Sequence, residues 1–223
     1  GCVTTLSVPP AYMQNLTVEA PASQDGKGIS IAIIKAEWSL SARTTMATKG
    51  LTDDGVFLGA ATKALLEGMT ASSMTVSGPY GGIHEMTFPE KKQADLALSV
   101  EFDVKTDYPQ YTVTPAGFFT SGSLTSEGNC KAAGSVSFVM WEPLSAQRVW
   151  SKSVPIQESL DCNMSFQAGN ALDVWTRAMN NKLNQLQEQY FKNTMKTAAR
   201  YFQPAEVALV KKQSEELRSK KVY

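Results

Sequence analysis

Apolar and polar residues alternate strictly in some stretches of this chain and recur at three and four in others. Ile29, Ile31 and Ile33 fall on one face of an extended segment, and Ile34, Ala36 and Trp38 continue its apolar character. The first strand is therefore expected over residues 29–34. Residues 39–51 are polar, carry Gly50 and read as a loop. Phe57, Ala61, Leu65 and Met69 recur every four residues, which predicts a helix over 55–69 with one stripe against a core. Asp53 or Asp54 is its expected cap, and Gly68 helps end it. A short strand at 74–76 leads into a Gly-rich and Pro-containing turn at 77–82. The strongest strand signal lies at 94–104, where Leu96, Leu98, Val100, Phe102 and Val104 share a face. Residues 111–113 are expected to continue it after a turn at Pro109, and 115–129, rich in Gly, Ser and Thr, read as a mobile loop.

Two more strands, at 132–141 and 148–156, flank a turn at 142–147 and form a hairpin. Facing residues in a hairpin have position numbers with a constant sum. Cys130 and Cys162 place that centre at residue 146, inside the turn, so the two thiols are expected near one another at the open end of the ladder. A bridge there closes a loop of about 30 residues and contributes roughly 3–4 kcal/mol in the chain-entropy model. The alternative is two free thiols.

The longest helix is expected from Asn170 to about Thr197. Leu172, Trp175, Met179, Leu183, Leu186 and Tyr190 make a sustained stripe. That stripe either packs on the sheet or, past Leu186 and through Tyr190, grips a partner. Pro204 suits the first turn of a last helix to about Ser219. Lys211 with Glu215 and Glu216 with Lys220 are spaced to pair, which reads as a solvated face. Its basic end, Arg218, Lys220 and Lys221, is either a contact for an anionic partner or a frayed terminus.

These elements predict an α+β fold. A mostly antiparallel sheet carries one helix after its first strand, a long C-terminal helix packed on it, and a final charged helix. The chain divides into a tether at 1–28, an α/β domain at 29–200 and the charged helix at 201–223.

Composition narrows the chemistry. Among 223 residues, Lys+Arg and Asp+Glu are both 21, so the formal net charge is zero. A nucleic-acid binder needs a basic excess to neutralise phosphates, so none is expected. No apolar run approaches the ~18 residues of a membrane helix. Histidine occurs once, at His84, so a zinc site of the usual kind is not expected. No Gly-x-Ser-x-Gly elbow is present, and the Gly-rich turn at 77–82 lacks the lysine of a phosphate loop. Neither an enzyme nor a cofactor is expected.

The strongest functional signal is Gly1-Cys2. A bacterial lipoprotein signal ends in a small residue and is cut before a cysteine that carries acyl chains. Cys2 is the expected lipid site, with an ordinary free thiol as the alternative, and the segment after it, with Pro9-Pro10, Pro21, Gly26 and Gly28, reads as a tether. Each buried methylene contributes about 0.8 kcal/mol, so two or three chains make attachment close to permanent. Val3 in place of Asp favours the outer membrane. Three cysteines then fit one bridge plus one modified residue.

The run Met86-Thr87-Phe88-Pro89-Glu90-Lys91-Lys92-Gln93-Ala94-Asp95-Leu96-Ala97-Leu98 resembles the segment before the central strand of the neuraminyllactose-binding haemagglutinin family. Phe119-Thr120-Ser121-Gly122-Ser123-Leu124 is similar to that family's Gly-rich loop, and Gly134-Ser135-Val136-Ser137-Phe138-Val139 with Glu142-Pro143-Leu144-Ser145 to its Glu-Pro hairpin. Residues 170–221 are similar to its charged helical part. The resemblance spans about 29–221 and implies a lipid-anchored outer-membrane protein of Gram-negative bacteria, with a sialoglycan-binding adhesin as one role. One segment departs from it. The family's proposed sialic-acid-binding run, rich in Lys and Arg, corresponds here to Lys105-Thr106-Asp107-Tyr108-Pro109-Gln110-Tyr111-Thr112-Val113. A carboxylated sugar finds little positive charge there, so no ligand residue carries over. The leading expectation is a structural or interaction subunit of an envelope assembly, such as the outer-membrane core of a secretion system. The alternative is a free-standing adhesin.

Overall fold

The computed structural model describes residues 25–51, 55–118, 122–167 and 170–221. The lipid site expected at Cys2, nearly all of the expected tether and the caps expected at Asp53 and Asp54 lie outside these residues. The chain runs β1 (Ser30–Ile34), β2 (Glu37–Trp38), α1 (Leu40–Thr48), α2 (Val56–Ala71), β3 (Thr75–Tyr80), α3 (Phe88–Gln93), β4 (Leu96–Asp107) and β5 (Tyr111–Thr114). It continues through β6 (Ser123–Ser126), β7 (Asn129–Glu142), β8 (Gln147–Asp161), β9 (Met164–Gln167), α4 (Ala171–Tyr201) and α5 (Pro204–Ser219).

The fold is α+β, as the pattern predicts. The main sheet is ordered β3-β1-β4-β7-β8, with β2 added alongside β4. Its two long ladders, β4–β7 and β7–β8, are antiparallel, while β1 and β2 pair in parallel. β1 has strand neighbours on both sides and Ile31, Ala32 and Ile33 wholly buried, so its apolar run is continuous rather than alternating. Leu96, Leu98, Val100, Phe102 and Val104 face the main core under α2 and α4. There Trp38 stacks on Phe57 at 5.1 Å, and Phe102, Tyr190 and Phe191 meet Phe57 edge-on at 5.0, 5.8 and 5.7 Å.

The structure corrects several expectations. The polar stretch after Trp38 is a helix, α1, so two helices follow the first strand. The Ser39 hydroxyl caps it by accepting from the Ala42 N–H at 3.0 Å. Thr44, Thr45 and Thr48 donate back to carbonyls one turn earlier, and only Ala42 is buried. With no apolar stripe, the periodicity had nothing to show. β3 runs through the expected turn to Tyr80, with a cis peptide at Gly78-Pro79. β5 does not extend β4. It forms a second antiparallel sheet, β5-β6-β9, whose middle strand lies inside the expected loop. The run resembling the family's pre-strand segment contains α3, started by a reciprocal cap between Thr87 and Glu90.

The hairpin register is offset by two residues from the expected one. Cys130 faces Leu160, and the ladder slips between Met140 and Trp141. The bridge still forms. Cys162 lies just past the end of β8, its N–H donates to the Gly128 carbonyl at 3.0 Å, and the two Cα atoms are 5.7 Å apart. Halfway along β7, Gly134 sits at φ +146° against β4, where a Cβ would collide with the Asp103 carbonyl oxygen. No other residue type fits that crossing.

Candidate functional site

The domain has two chemically different ends, about the length of β4 apart. At one end β1 and β4 start side by side and the β7–β8 turn closes. Here α5 lies across the strand starts: Val207 and Val210 belong to the main core, while the expected pair Lys211–Glu215 forms at 3.7 Å on its outer side. Lys211 Nζ donates to the Gly28 carbonyl at 2.6 Å and pairs with Asp95 at 3.0 Å. The same Asp95 oxygen accepts from the Ser30 N–H at 2.8 Å. Ser214 Oγ donates to the Asp95 carbonyl at 2.8 Å.

Arg218 locks this base. Its Nε donates to Glu142 at 2.7 Å, and one terminal nitrogen reaches the Lys91 and Ala94 carbonyls at 3.2 and 2.5 Å. One side chain thus ties α5, the hairpin turn and the α3–β4 junction. The Glu142 side chain has no exposed surface. Burial by itself would raise its pKa. Hydrogen bonds from the Ser145 hydroxyl, Arg218, and the Ser145 and Leu144 N–H groups outweigh burial and hold it down at about 2.

At the other end lies the small sheet. The Trp175 indole N–H donates to Ser126 Oγ at 3.0 Å, and that hydroxyl donates to the Cys162 carbonyl at 3.3 Å. Tyr111 meets Trp175 edge-on at 4.9 Å, and the Met179 sulfur lies 3.5 Å from that of Cys130. The first turns of α4, the disulfide and the small sheet therefore hold one another. The outside of this end is apolar. Tyr111, Val113, Phe118 and Leu172 are 39, 60, 97 and 49% exposed, four of the seven large exposed apolar side chains among the described residues.

The segments that build the small sheet also lack charge. Residues 109–126 and 162–172 contain no Asp, Glu, Lys or Arg, although such residues make up 19% of the chain. A shallow, open depression between β6 and β9 is lined by Thr125, Ser126, Glu127, Asn163, Met164 and Ser165. Among the described residues no three His, Cys, Asp or Glu side chains cluster to hold a metal, and no helix is long and apolar enough to cross a membrane.

The residues singled out from sequence divide as follows. Cys130 and Cys162 are bridged. Leu186 and Tyr190, the expected partner-gripping positions, are 1 and 2% exposed and packed in the main core, so their side chains do not reach a partner. Arg218 is not a frayed terminus but the lock of the base. Lys220 and Lys221 are exposed. Sequence reasoning missed the patch around Tyr111 and Val113. Its signal was the gap in charge between Asp107 and Glu127, repeated between Asp161 and Asp173.

No protein-family profile matches the sequence, and no curated protein matches it. Solved structures do. A homologue of the neuraminyllactose-binding haemagglutinin from Helicobacter pylori superposes with a TM-score of 0.56 at 12% identity, covering 88% of this chain and 95% of its own. The two proteins share a fold. Two looser matches are a PelC dodecamer from Paraburkholderia phytofirmans (TM-score 0.34, 11% identity, 86% and 94% covered) and a minor lipoprotein from Acinetobacter baumannii (0.28, 12%, 78% and 91%). Neither of these superpositions defines a shared fold.

Proposed function

We propose that this chain is a non-enzymatic lipoprotein of the bacterial envelope, held at the outer membrane by acyl chains on Cys2, and that it serves as an interaction subunit of an envelope assembly. The observation that carries this reading is the polarity of the domain. The N-terminal segment joins the domain at the base, where Gly28 is clasped by Lys211. The charge-free apolar end lies beyond the far end of β4, whose 12 residues span roughly 40 Å. A bilayer tether at one end and an uncharged docking face at the other suit a scaffold that presents itself outward. The fold shared with the Helicobacter pylori haemagglutinin homologue agrees with the sequence resemblance to that family, which is what suggests an envelope role. The adhesin reading draws less support, because residues 105–113 carry one lysine beside Asp107.

The test has two parts. Mass spectrometry of the native N-terminus is expected to find acyl chains on Cys2. Crosslinking in intact cells is expected to capture envelope proteins on the charge-free end. An unmodified Cys2 on a protein recovered from the cytosol overturns the reading. Sialoglycan binding by a protein without captured partners turns it to the adhesin.

A further inference from the structure

We propose that the charge-free end is a self-association surface, and that two copies of this chain meet there edge to edge along β5. This deepens the subunit reading and rests on it. β5 is one of the two outer strands of the small sheet among the described residues, and all four of its residues are exposed, whereas β9, the other, keeps Met164 and Phe166 half-buried. An outer strand presents main-chain donors and acceptors that another strand satisfies. The two edges of the main sheet are guarded: β8 carries Lys152, Pro155 and Glu158, and β3 carries Pro79. Tyr111-Thr112-Val113-Thr114 carries none of these guards and consists of strand-favouring residues.

The occupant follows from electrostatics. Across a two-fold axis a surface patch faces itself, so any net charge on it opposes its own sign. This patch offers none, and the whole chain has a formal charge of zero. Antiparallel pairing about the Thr112–Val113 bond sets Tyr111 opposite Thr114 of the second copy. Pro109 and Pro115 lack an N–H and bracket the ladder, so pairing ends there. Val113 and Phe118 bring the apolar surface that the new contact covers. A bilayer fits less well. Peripheral lipid binding draws on Lys and Arg, absent here, and hydrocarbon leaves an open strand edge unsatisfied.

The experiment is sedimentation of the full chain, produced without acyl chains. From about 1 to 200 µM, the range of a small interface, the mass is expected to rise from 24.2 kDa towards twice that value. Val113→Lys is expected to weaken the dimer at least tenfold, and Phe118→Ser to weaken it as well, with thermal unfolding of each variant monomer measured alongside. Ser153→Lys, on β8, is expected to leave it unchanged. A monomer throughout, a dimer indifferent to both patch variants, or a dimer broken by Ser153→Lys overturns the proposal. So does flotation of the acyl-free chain with neutral phosphatidylcholine vesicles that Val113→Lys abolishes, which assigns the patch to lipid. A monomer leaves the subunit reading to the crosslinking result. An unmodified Cys2 with the dimer intact overturns only the envelope reading.

Discussion

The base and the far end of this domain solve opposite problems. At the base, charges are drawn inward and satisfied: Glu142 is enclosed, Arg218 reaches it together with three carbonyls, and Lys211 joins Asp95 and Gly28. At the far end the strands of the small sheet carry no charge, and a disulfide with an indole–hydroxyl bond does the holding. The difference separates two uses of polarity. Paired charges fix where elements sit relative to one another, because a displaced partner leaves a buried ion uncompensated. A surface without charges loses little on desolvation and so suits contact with another molecule.

The sharpest way to break this comparison is Arg218→Ala. It leaves Glu142 enclosed without its cation, and a loss of about 3–5 kcal/mol is expected in urea unfolding. A loss below about 1 kcal/mol would place Arg218 among ordinary surface ion pairs and remove the contrast between the ends.

Next is the paired change Cys130→Ala and Cys162→Ala, which opens the bridge at the far end. The chain-entropy model gives a cost of roughly 3–4 kcal/mol for this loop. Hydrogen exchange is expected to show β5, β6, β9 and the first turns of α4 losing protection before α5 does. Uniform loss across both ends would show that they are one cooperative unit.

Acid sharpens the picture of the base. The folded Glu142 titrates at about 2 against an ordinary 4.5. The unfolded chain therefore takes up the proton first, and the stabilisation is present above about pH 4.5 and lost as pH falls towards 2. That gap corresponds to roughly 3 kcal/mol. Glu142→Gln is expected to flatten this limb of the stability–pH curve, whereas an unchanged slope would assign the acid loss to other carboxylates.

The smallest expected effect is Trp175→Phe. It removes the N–H donated to Ser126 while keeping the aromatic body near Tyr111, at a cost of about 1 kcal/mol in thermal unfolding.

Much of the architecture was legible because burial imposes a period on the chain. The stripe on α2, the alternation on β4 and the β7–β8 turn all follow from that rule. α1 escaped because its hydroxyls satisfy themselves one turn back and only Ala42 is buried. β6 escaped because Ser, Thr and Gly around one Leu124 resemble a loop until strands pair on both sides. The cysteine partners were readable from hairpin symmetry, although in the ladder Cys130 faces Leu160 and Cys162 lies just past the end of β8. The exposed apolar patch left a trace only as missing charge, a signal that periodicity does not carry.

The amino-acid order alone determined the class of fold, the zero balance of charge, the extent of the long helix and the pairing of Cys130 with Cys162. Those depend on neighbours a few positions apart or on composition. Tertiary structure decided that Leu186 and Tyr190 face inward, that α5 forms the base, and that an uncharged face lies at the opposite end from Gly28. These outcomes rest on contacts such as Ser30 with Asp95, 65 positions apart, and Arg218 with Glu142, 76 apart. Local pattern shows that a residue wants burial or a partner; only the folded chain supplies which surface or charge meets it.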